Sequence, residues 1–236
     1  MGVFAIGDLH GCADELEVLL ARLGAGAEDT FVFLGDYVDR GPAVRALIER
    51  LLRLRREGPR TVFLRGNHED MLLAYLGLPG RYPDAYLGNG GAATLASYGV
   101  PTDVTGPAAA SRLPPAHLEF LRTLELVHRA DPYLFVHAGV RPGVPLERQD
   151  EEDLLWIREE FFAARHDLRL TVVFGHTPQR DVRLGLPFHL GLDTGLVYGN
   201  KLSCFDVAGR RVLQVARGAR RTTERNLDAE LSAANL

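Results

Sequence analysis

The sequence predicts an α/β fold, and two patterns in its N-terminal third support that prediction. Short apolar runs alternate with segments whose leucines recur at helical spacing, so strands and helices follow one another along the chain. Each apolar run ends close to a glycine followed by a polar residue, at Gly7-Asp8, Gly35-Asp36 and Gly66-Asn67. This alternation is typical of a largely parallel sheet with helices packed against it.

The elements of the first half follow in order from these patterns. Strands are predicted at 3–7, 31–34 and 61–64, and each is followed by a helix with apolar residues three and four positions apart. From 77 to 130 the periodicity weakens and glycine and proline are frequent, which predicts an insertion or lid with short helices.

The second half is richer in predicted strands. Apolar runs end at His137 and at Gly175-His176, and three further strands separated by hairpin-like turns are expected between 188 and 215. The tail after Gly218 is polar, and we expect a helix or a loose arm there. These boundaries predict one domain at 1–218 and a C-terminal tail at 219–236.

Composition narrows the class of protein. Of the 236 residues, 46% are hydrophobic and 25% are charged, as in an ordinary globular domain. The net charge of -4 argues against a general nucleic-acid binder, which needs a basic surface. Two cysteines are too few for a disulfide framework. The apolar runs fall short of the roughly 20 residues that span a bilayer. We therefore expect a cytoplasmic protein without a membrane partner.

Ligand-type side chains follow the predicted strands. Taken singly, each of these residues could be an ordinary turn residue or a buried polar residue. A ligand-type residue at the end of five predicted strands is harder to explain in that way. Because ligands bind outside the carboxyl ends of strands in open α/β sheets, we expect these residues to gather at one edge. They are Asp8, His10, Asp36, Asn67, His137 and His176. Mixed imidazole and carboxylate ligands suit Mn, Fe, Zn or Ni, and a shared Asp36 would join two adjacent cation sites.

Five blocks of sequence resemble the signature blocks of the calcineurin-like metallophosphoesterases, above all the branch that holds the Ser/Thr protein phosphatases. The resemblance runs from about residue 3 to about residue 207 and implies two mixed β-sheets that form a sandwich flanked by helices. The blocks are Gly7-Asp8-Leu9-His10-Gly11, Gly35-Asp36-Tyr37-Val38-Asp39-Arg40-Gly41, Gly66-Asn67-His68-Glu69, Val136-His137-Ala138-Gly139 and Gly175-His176-Thr177.

The same resemblance implies a role for each residue. One metal is expected on Asp8, His10 and Asp36, and the second on Asp36, Asn67, His137 and His176. The two cations are expected to be Mn²⁺, with Fe, Zn, Ni or Co as alternatives. His68 would act as the general acid and Asp39 would orient it. Arg40, Arg158 and Asn67 would bind the phosphate that a metal-bridging hydroxide attacks.

The expected substrate is a phosphate monoester, either on a phosphoserine or phosphothreonine protein or on a small molecule. The alternative is a symmetric dinucleoside tetraphosphate (Ap4A) hydrolase on the same scaffold. Asp39 and Glu69 are taken to favour the monoesterase. A catalytically inactive binding protein is a rival of another class, but such relatives lose ligands that this chain keeps. Asp193 and the Asn89-Gly90-Gly91 stretch remain open between a role at the site and an ordinary turn or loop.

Overall fold

A computed structural model of the protein describes residues 2–228, and eleven strands and eight α-helices lie within that range. The strands are β1 (Val3–Ile6), β2 (Thr30–Phe33), β3 (Arg60–Phe63), β4 (Val127–Ala130), β5 (Tyr133–Val136), β6 (Thr171–Phe174), β7 (Arg183–Gly185), β8 (His189–Gly191), β9 (Lys201–Asp206), β10 (Arg211–Ala216) and β11 (Thr223–Asn226). The helices are α1 (Ala13–Leu23), α2 (Val44–Glu57), α3 (Asn67–Tyr75), α4 (Gly91–Ser97), α5 (Gly106–Ala110), α6 (Pro115–Arg122), α7 (Glu151–Trp156) and α8 (Glu159–Ala163).

The strands form two mixed sheets within the described range. The first has the order β11-β10-β9-β1-β2-β3, and the second has the order β4-β5-β6-β8-β7. The parallel pairs are β1–β2 and β2–β3 in the first sheet, and β5–β6 and β6–β8 in the second. Parallel neighbours point their carboxyl ends to the same edge, so each sheet gathers the loops that follow its central strands.

Side-chain alternation along the strands builds a sandwich. Ala5 packs between the two sheets with Phe135 and Phe205, whereas its neighbours Phe4 and Ile6 pack against helices on the outer face of the first sheet. In the second sheet the outward side chains pack against α7 and α8. Successive strand residues point to opposite faces, so sheets covered on both sides need apolar residues at nearly every position.

The longest helix shows how local sequence produces this packing. In α2 the residues at three- and four-residue spacing are buried against the first sheet, and arginines and glutamates occupy the other face. The buried positions are Val44, Leu47, Ile48, Leu51 and Leu54. The helix ends at Glu57 and is followed by Gly58 and Pro59. Apolar spacing of this kind stabilises a helix through tertiary packing more than through intrinsic propensity.

The predicted α/β sandwich is confirmed, but three strands escape the sequence pattern. These are β4, β7 and β11, which are short and lack a buried apolar run, and every residue of β11 is exposed. The expectation of a helix or loose arm after Gly218 is wrong for Thr223–Asn226, since β11 pairs antiparallel with β10. The rest of that prediction, over 229–236, lies outside the described residues.

The segment 77–130 contains the short helices expected of it. They include α4, α5 and α6, while its last residues form β4 at the edge of the second sheet. Among residues 2–228, no helix combines the length and the apolar character that crossing a bilayer requires.

Candidate active site

The predicted ligand residues all follow strands and meet where the edges of the two sheets come together. Asp8 follows β1, Asp36 follows β2, His137 follows β5 and His176 follows β6. Asn67 is the first residue of α3, which begins just after β3. All of them are buried, as are His10 and His68. The structure therefore brings together the whole predicted set except for the arginines, which lie at its rim.

Asp36 lies at the centre of this cluster. Its Oδ2 is 3.4 Å from His10 Nε2, and its Oδ1 is 3.4 Å from His137 Nε2. Burial acts to raise the pKa of Asp36, but the imidazoles of His137 and His68 hold that pKa well below its ordinary value. A carboxylate with an imidazole nitrogen on each oxygen is placed as a bridge between two cations.

The ring orientations of His10 and His137 suit them to ligate a cation. His10 Nδ1 lies 2.7 Å from the carbonyl oxygen of Val38, and His137 Nδ1 lies 2.8 Å from that of Leu34. Each Nδ1 donates its proton to a backbone oxygen, so the lone pair of each Nε2 is directed into the cluster. Metal-ligating histidines are commonly oriented by a second hydrogen bond of this kind.

Asn67 and His176 complete a second group of donors. Asn67 Oδ1 lies 3.0 Å from His137 Nε2 and 3.0 Å from His176 Nδ1. Asp36, His137 and His176 place ligand atoms within 4.8 Å of one another, and so do His10, Asp36 and His68. Two donor groups that share the Asp36 carboxylate therefore exist in the structure, but the first contains His68, the predicted general acid, where Asp8 was expected.

Asp8 is placed differently from the other predicted ligands. Its Oδ2 accepts the backbone N–H of His176 at 3.0 Å, which ties β1 of the first sheet to the loop after β6 of the second. Burial and then the carboxylates of Asp193 and Asp36 raise the pKa of Asp8 well above its ordinary value. Crowded buried carboxylates repel one another, and a divalent cation among them would relieve that repulsion. The donor set therefore fits divalent metals.

His68 and Asp39 form a hydrogen-bonded pair beside the cluster. His68 Nδ1 is 2.7 Å from Asp39 Oδ2, and His68 Nε2 is 4.0 Å from Asp36 Oδ2. Asp39 Oδ1 accepts hydrogen bonds from Tyr86 Oη at 2.9 Å and from Thr94 Oγ1 at 2.6 Å. The segment 77–130 thus supplies two residues, missed by sequence reasoning, that hold the Asp39 carboxylate in place.

The Asn89-Gly90-Gly91 stretch has a structural role at the cleft. A Cβ on Gly91 would lie 2.5 Å from the Tyr86 ring, and a Cβ on Gly90 would lie 2.7 Å from Arg40 Cγ. Gly90 also has φ 96° and accepts the backbone N–H of Arg40 at 3.1 Å. Only glycine allows this close approach of the insertion to the loop after β2. The stretch therefore shapes the cleft, which the sequence had left open.

Glu69 organises the loop that carries Asp36. Its Oε1 accepts N–H bonds from Tyr37 and Val38 at 2.8 and 3.1 Å, and its Oε2 accepts N–H bonds from Asp36 and Gly66, both at 2.9 Å. Burial and the Asp36 carboxylate raise the pKa of Glu69, while these backbone N–H groups act to lower it. Sequence reasoning used Glu69 only to separate substrate classes and missed this role.

Strained backbone is concentrated at the same loops. Five residues of the site have the positive φ that side chains with a Cβ rarely adopt, and the hydrogen bonds around Glu69 and Asp39 hold part of this backbone in place. They are His10 (φ 41°), Asp36 (φ 52°), Asp39 (φ 70°), Arg40 (φ 66°) and His176 (φ 63°). Strain of this kind is typical of functional loops.

The two predicted phosphate-binding arginines reach opposite ends of the cluster. Arg40 Nη1 lies 2.7 Å from His10 Nε2, and Arg158 Nε lies 3.0 Å from His176 Nε2. Arg40 therefore engages the lone pair that His10 would offer to a metal. Both arginines line a cavity of about 120 Å³ together with Asp36, Asn67, His68, Asn89, Trp156, His176, Pro178 and Tyr198.

Asp193, which the sequence left open, forms a turn. Its Oδ1 accepts the backbone N–H of Gly195 at 2.9 Å, which holds the start of the Leu196–Tyr198 turn. Its carboxylate is buried close enough to Asp8 to raise the pKa of that residue. Asp193 therefore shapes the loop beside the cluster and adds to the buried negative charge.

Comparisons with known proteins agree with this geometry. Residues 1–202 match the family model of the calcineurin-like phosphoesterases. A symmetrical bis(5'-nucleosyl)-tetraphosphatase from Janthinobacterium sp. (strain Marseille) is 28% identical over 91% of this chain and 96% of its own. The asymmetrical bis(5'-nucleosyl)-tetraphosphatase PrpE of Oceanobacillus iheyensis is 26% identical over 92% of each chain. A crystal structure of a candidate diadenosine tetraphosphatase superposes with a TM-score of 0.70 at 27% identity, covering 92% of this chain and 93% of that one.

Proposed function

Because the chain belongs to the calcineurin-like phosphoesterase family and is therefore a metal-dependent hydrolase, we propose that it cleaves the phosphate bridge of dinucleoside tetraphosphates. The observation that carries this substrate class is the similarity to tetraphosphatases over more than nine-tenths of the chain. It supports the alternative raised by the sequence better than the phosphoprotein monoesterase that the sequence placed first.

The positions of Asp39 and Glu69 give no support for choosing between the two substrate classes. Glu69 is fully buried and accepts backbone N–H groups, and Asp39 is fully buried behind His68. Neither residue lines the cavity that would receive a substrate. Both are needed for the shape of the site whichever phosphate compound binds, so neither discriminates between a phosphoprotein and a dinucleotide.

The six ligand-type residues would hold two divalent cations, and we propose Mn²⁺ for both. The first set is Asp8, His10 and Asp36, and the second is Asp36, Asn67, His137 and His176. Two cations at these sites would neutralise phosphoryl charge and lower the pKa of a water between them. Because Asp8 contacts the His176 backbone, it would also keep the two sheets in register around the site.

The remaining residues bind the phosphates and move a proton. The Arg40 and Arg158 guanidiniums, at opposite ends of the cavity, would grip non-bridging oxygens with paired N–H donors, and the Asn67 amide would contact the reacting phosphate. His68 Nε2 is directed towards Asp36 and would protonate the leaving oxygen. Asp39 would orient the His68 ring through its hydrogen bond to Nδ1, and the second oxygen of Asp39 is itself held by Tyr86 and Thr94.

We propose that this machinery occupies a catalytic domain at 1–218, with 77–130 as an insertion that covers one side of the site. The insertion supplies Tyr86 and Thr94 to Asp39. It also reaches the other rim of the cleft, because Arg81 Nη2 lies 3.1 Å from Glu151 Oε2 of α7.

The test uses metal-stripped protein to which Mn²⁺ is added back. Ap4A and a phosphoserine peptide are offered in parallel, and nucleotides and phosphate are quantified. We expect rapid loss of Ap4A; two molecules of ADP would indicate symmetrical cleavage, whereas ATP with AMP would indicate asymmetrical cleavage. Asp36→Asn, which alters the shared ligand, is the inactive control. Phosphate released from the peptide with Ap4A left intact would overturn the proposal and restore the protein-phosphatase reading.

A further inference from the structure

The most exposed large apolar side chain among residues 2–228 lies at the mouth of the candidate active site. Tyr198 is 61% exposed, yet its ring forms part of the wall of the cavity that contains Asp36 and His68. Single exposed rings are common on protein surfaces, so exposure alone indicates nothing. Two further features distinguish this ring: the turn that holds it and the arginine on its face.

The turn beneath Tyr198 is fixed from several directions. Tyr198 ends a short 3-10 turn between Gly195 (φ 69°) and Gly199 (φ 92°), two left-handed positions that suit glycine. Asn200 Nδ2 donates to the carbonyl oxygens of Thr194 at 2.7 Å and of Arg180 at 3.0 Å. Leu196, at the start of the turn, is buried in the core. The ring is therefore presented to solvent on rigid backbone, and a ligand would bind it without first ordering a loop.

One face of the Tyr198 ring is engaged by an arginine of the site. The Arg40 guanidinium carbon lies 5.4 Å from the ring centroid, within cation–π range. The same guanidinium lies 2.7 Å from His10 Nε2. Tyr198, Arg40 and His10 thus form one continuous surface that runs from solvent to the buried cluster around Asp36.

This surface matches the chemistry of a nucleotide. An exposed aromatic face stacks on a nucleobase, and the adjacent guanidinium binds a phosphate. We propose that Tyr198 is the platform on which one nucleobase of the substrate stacks while Arg40 binds a neighbouring phosphate. This inference rests on the proposed function, because it assigns a binding position to the nucleobase of the proposed substrate, the part that would lie outside the small cavity.

The test compares two ligands that carry the same two phosphates but differ in the nucleoside. Binding of ADP and of inorganic pyrophosphate to the Mn²⁺-loaded protein is measured by calorimetry for the wild type, Tyr198→Ala and Tyr198→Phe. Loss of the ring also frees Arg40, which affects both ligands equally. The informative quantity is therefore the ratio of the two dissociation constants, ADP over pyrophosphate.

We expect Tyr198→Ala to raise this ratio about tenfold to a hundredfold, the usual effect of removing a base-stacking ring. Tyr198→Phe keeps the ring and should leave the ratio within about twofold of the wild type. Leu87→Ala controls for the loss of an exposed apolar side chain, since Leu87 is 40% exposed but does not line the cavity. An unchanged ratio in Tyr198→Ala overturns the inference.

Failure of this inference and failure of the proposed function give different results. A wild-type protein that does not hydrolyse Ap4A refutes the function, whatever the binding ratios are. A wild-type protein that hydrolyses Ap4A, with equal loss of ADP and pyrophosphate affinity in Tyr198→Ala, leaves the function standing and removes the stacking platform. Tighter binding of a phosphoserine peptide than of ADP, weakened by Tyr198→Ala, would assign the ring to peptide recognition and also overturn the inference.

Discussion

Replacing Glu69 by glutamine tests whether one buried carboxylate holds the loop that carries Asp36 in shape. Each oxygen of Glu69 accepts two backbone N–H bonds, from Tyr37 and Val38 on one side and from Asp36 and Gly66 on the other. Glutamine would offer an oxygen to one pair of donors and an NH₂ group, itself a donor, to the other pair. Two buried amide N–H groups would then lose their acceptor.

The size of the effect follows from that count. A buried donor left without an acceptor costs about 1–3 kcal/mol, so Glu69→Gln should lower the free energy of unfolding by about 2–6 kcal/mol. This is a large part of the roughly 5–15 kcal/mol that stabilises a typical domain. Because the affected loop carries Asp36, the affinity for Mn²⁺ should fall together with the stability.

Urea unfolding of the metal-free protein, followed by circular dichroism, measures this loss. The matched control is Glu49→Gln, whose carboxylate is exposed and pairs only with Arg45 on the same helix. An exposed pair of this kind contributes little, so the control should change the unfolding free energy by less than about 0.5 kcal/mol. If Glu69→Gln were as mild as Glu49→Gln, the loop would not depend on the Glu69 hydrogen bonds and the argument would be refuted.

Three further outcomes are expected. Asp36→Asn should lower the Mn²⁺ content per chain, measured by elemental analysis, because Asp36 lies between both donor groups; a wild-type metal content would contradict the shared-ligand assignment. His68→Ala should lower kcat about 100-fold or more on poor leaving groups but less on p-nitrophenyl phosphate, and an equal loss on both would exclude His68 as the general acid. Burial lowers the pKa of His189 from 6.5 to about 4 in the folded protein. As the pH drops from about 6.5 towards 4, His189 becomes protonated in the unfolded chain before it does in the folded protein, so the free energy of unfolding should fall. His189→Gln should flatten this dependence in unfolding experiments, and an unchanged slope would assign the loss to other groups.

Strands that are buried on both faces were predicted from the sequence, whereas three less buried edge strands were missed. Central strands such as β1, β2 and β6 are covered on both faces, so their sequences are apolar runs that a single sequence displays. The edge strands β4, β7 and β11 carry polar or partly exposed residues and leave no such run. Their pairing depends on neighbouring strands that are distant in sequence, so local patterns did not reveal them.

The candidate site divides in a similar way. The ligand-type residues were predictable because each follows a strand, and the geometry of parallel sheets brings such positions to one edge. Tyr86 and Tyr198 were missed because each lies in or beside a short 3-10 turn with no period of its own, and Thr94 was missed because it lies on the short helix α4 within a segment of weak periodicity. The structural role of Glu69 was missed for a related reason, since its partners are backbone groups that a sequence does not display.

The sequence by itself determined the α/β class, the central strands and the set of ligand-type residues that follow them, because these depend on local periodicity and on the chemistry of single side chains. Tertiary structure alone decided how those side chains are oriented. The carbonyl oxygens of Val38 and Leu34 turn His10 and His137 inwards, and Glu69 holds the loop of Asp36. Tertiary structure alone also placed the ring of Tyr198 at the mouth of the cleft. Hydrogen bonds between distant segments and the packing of an insertion against a loop are properties of the folded chain, and they shape the site in which the chemistry would take place.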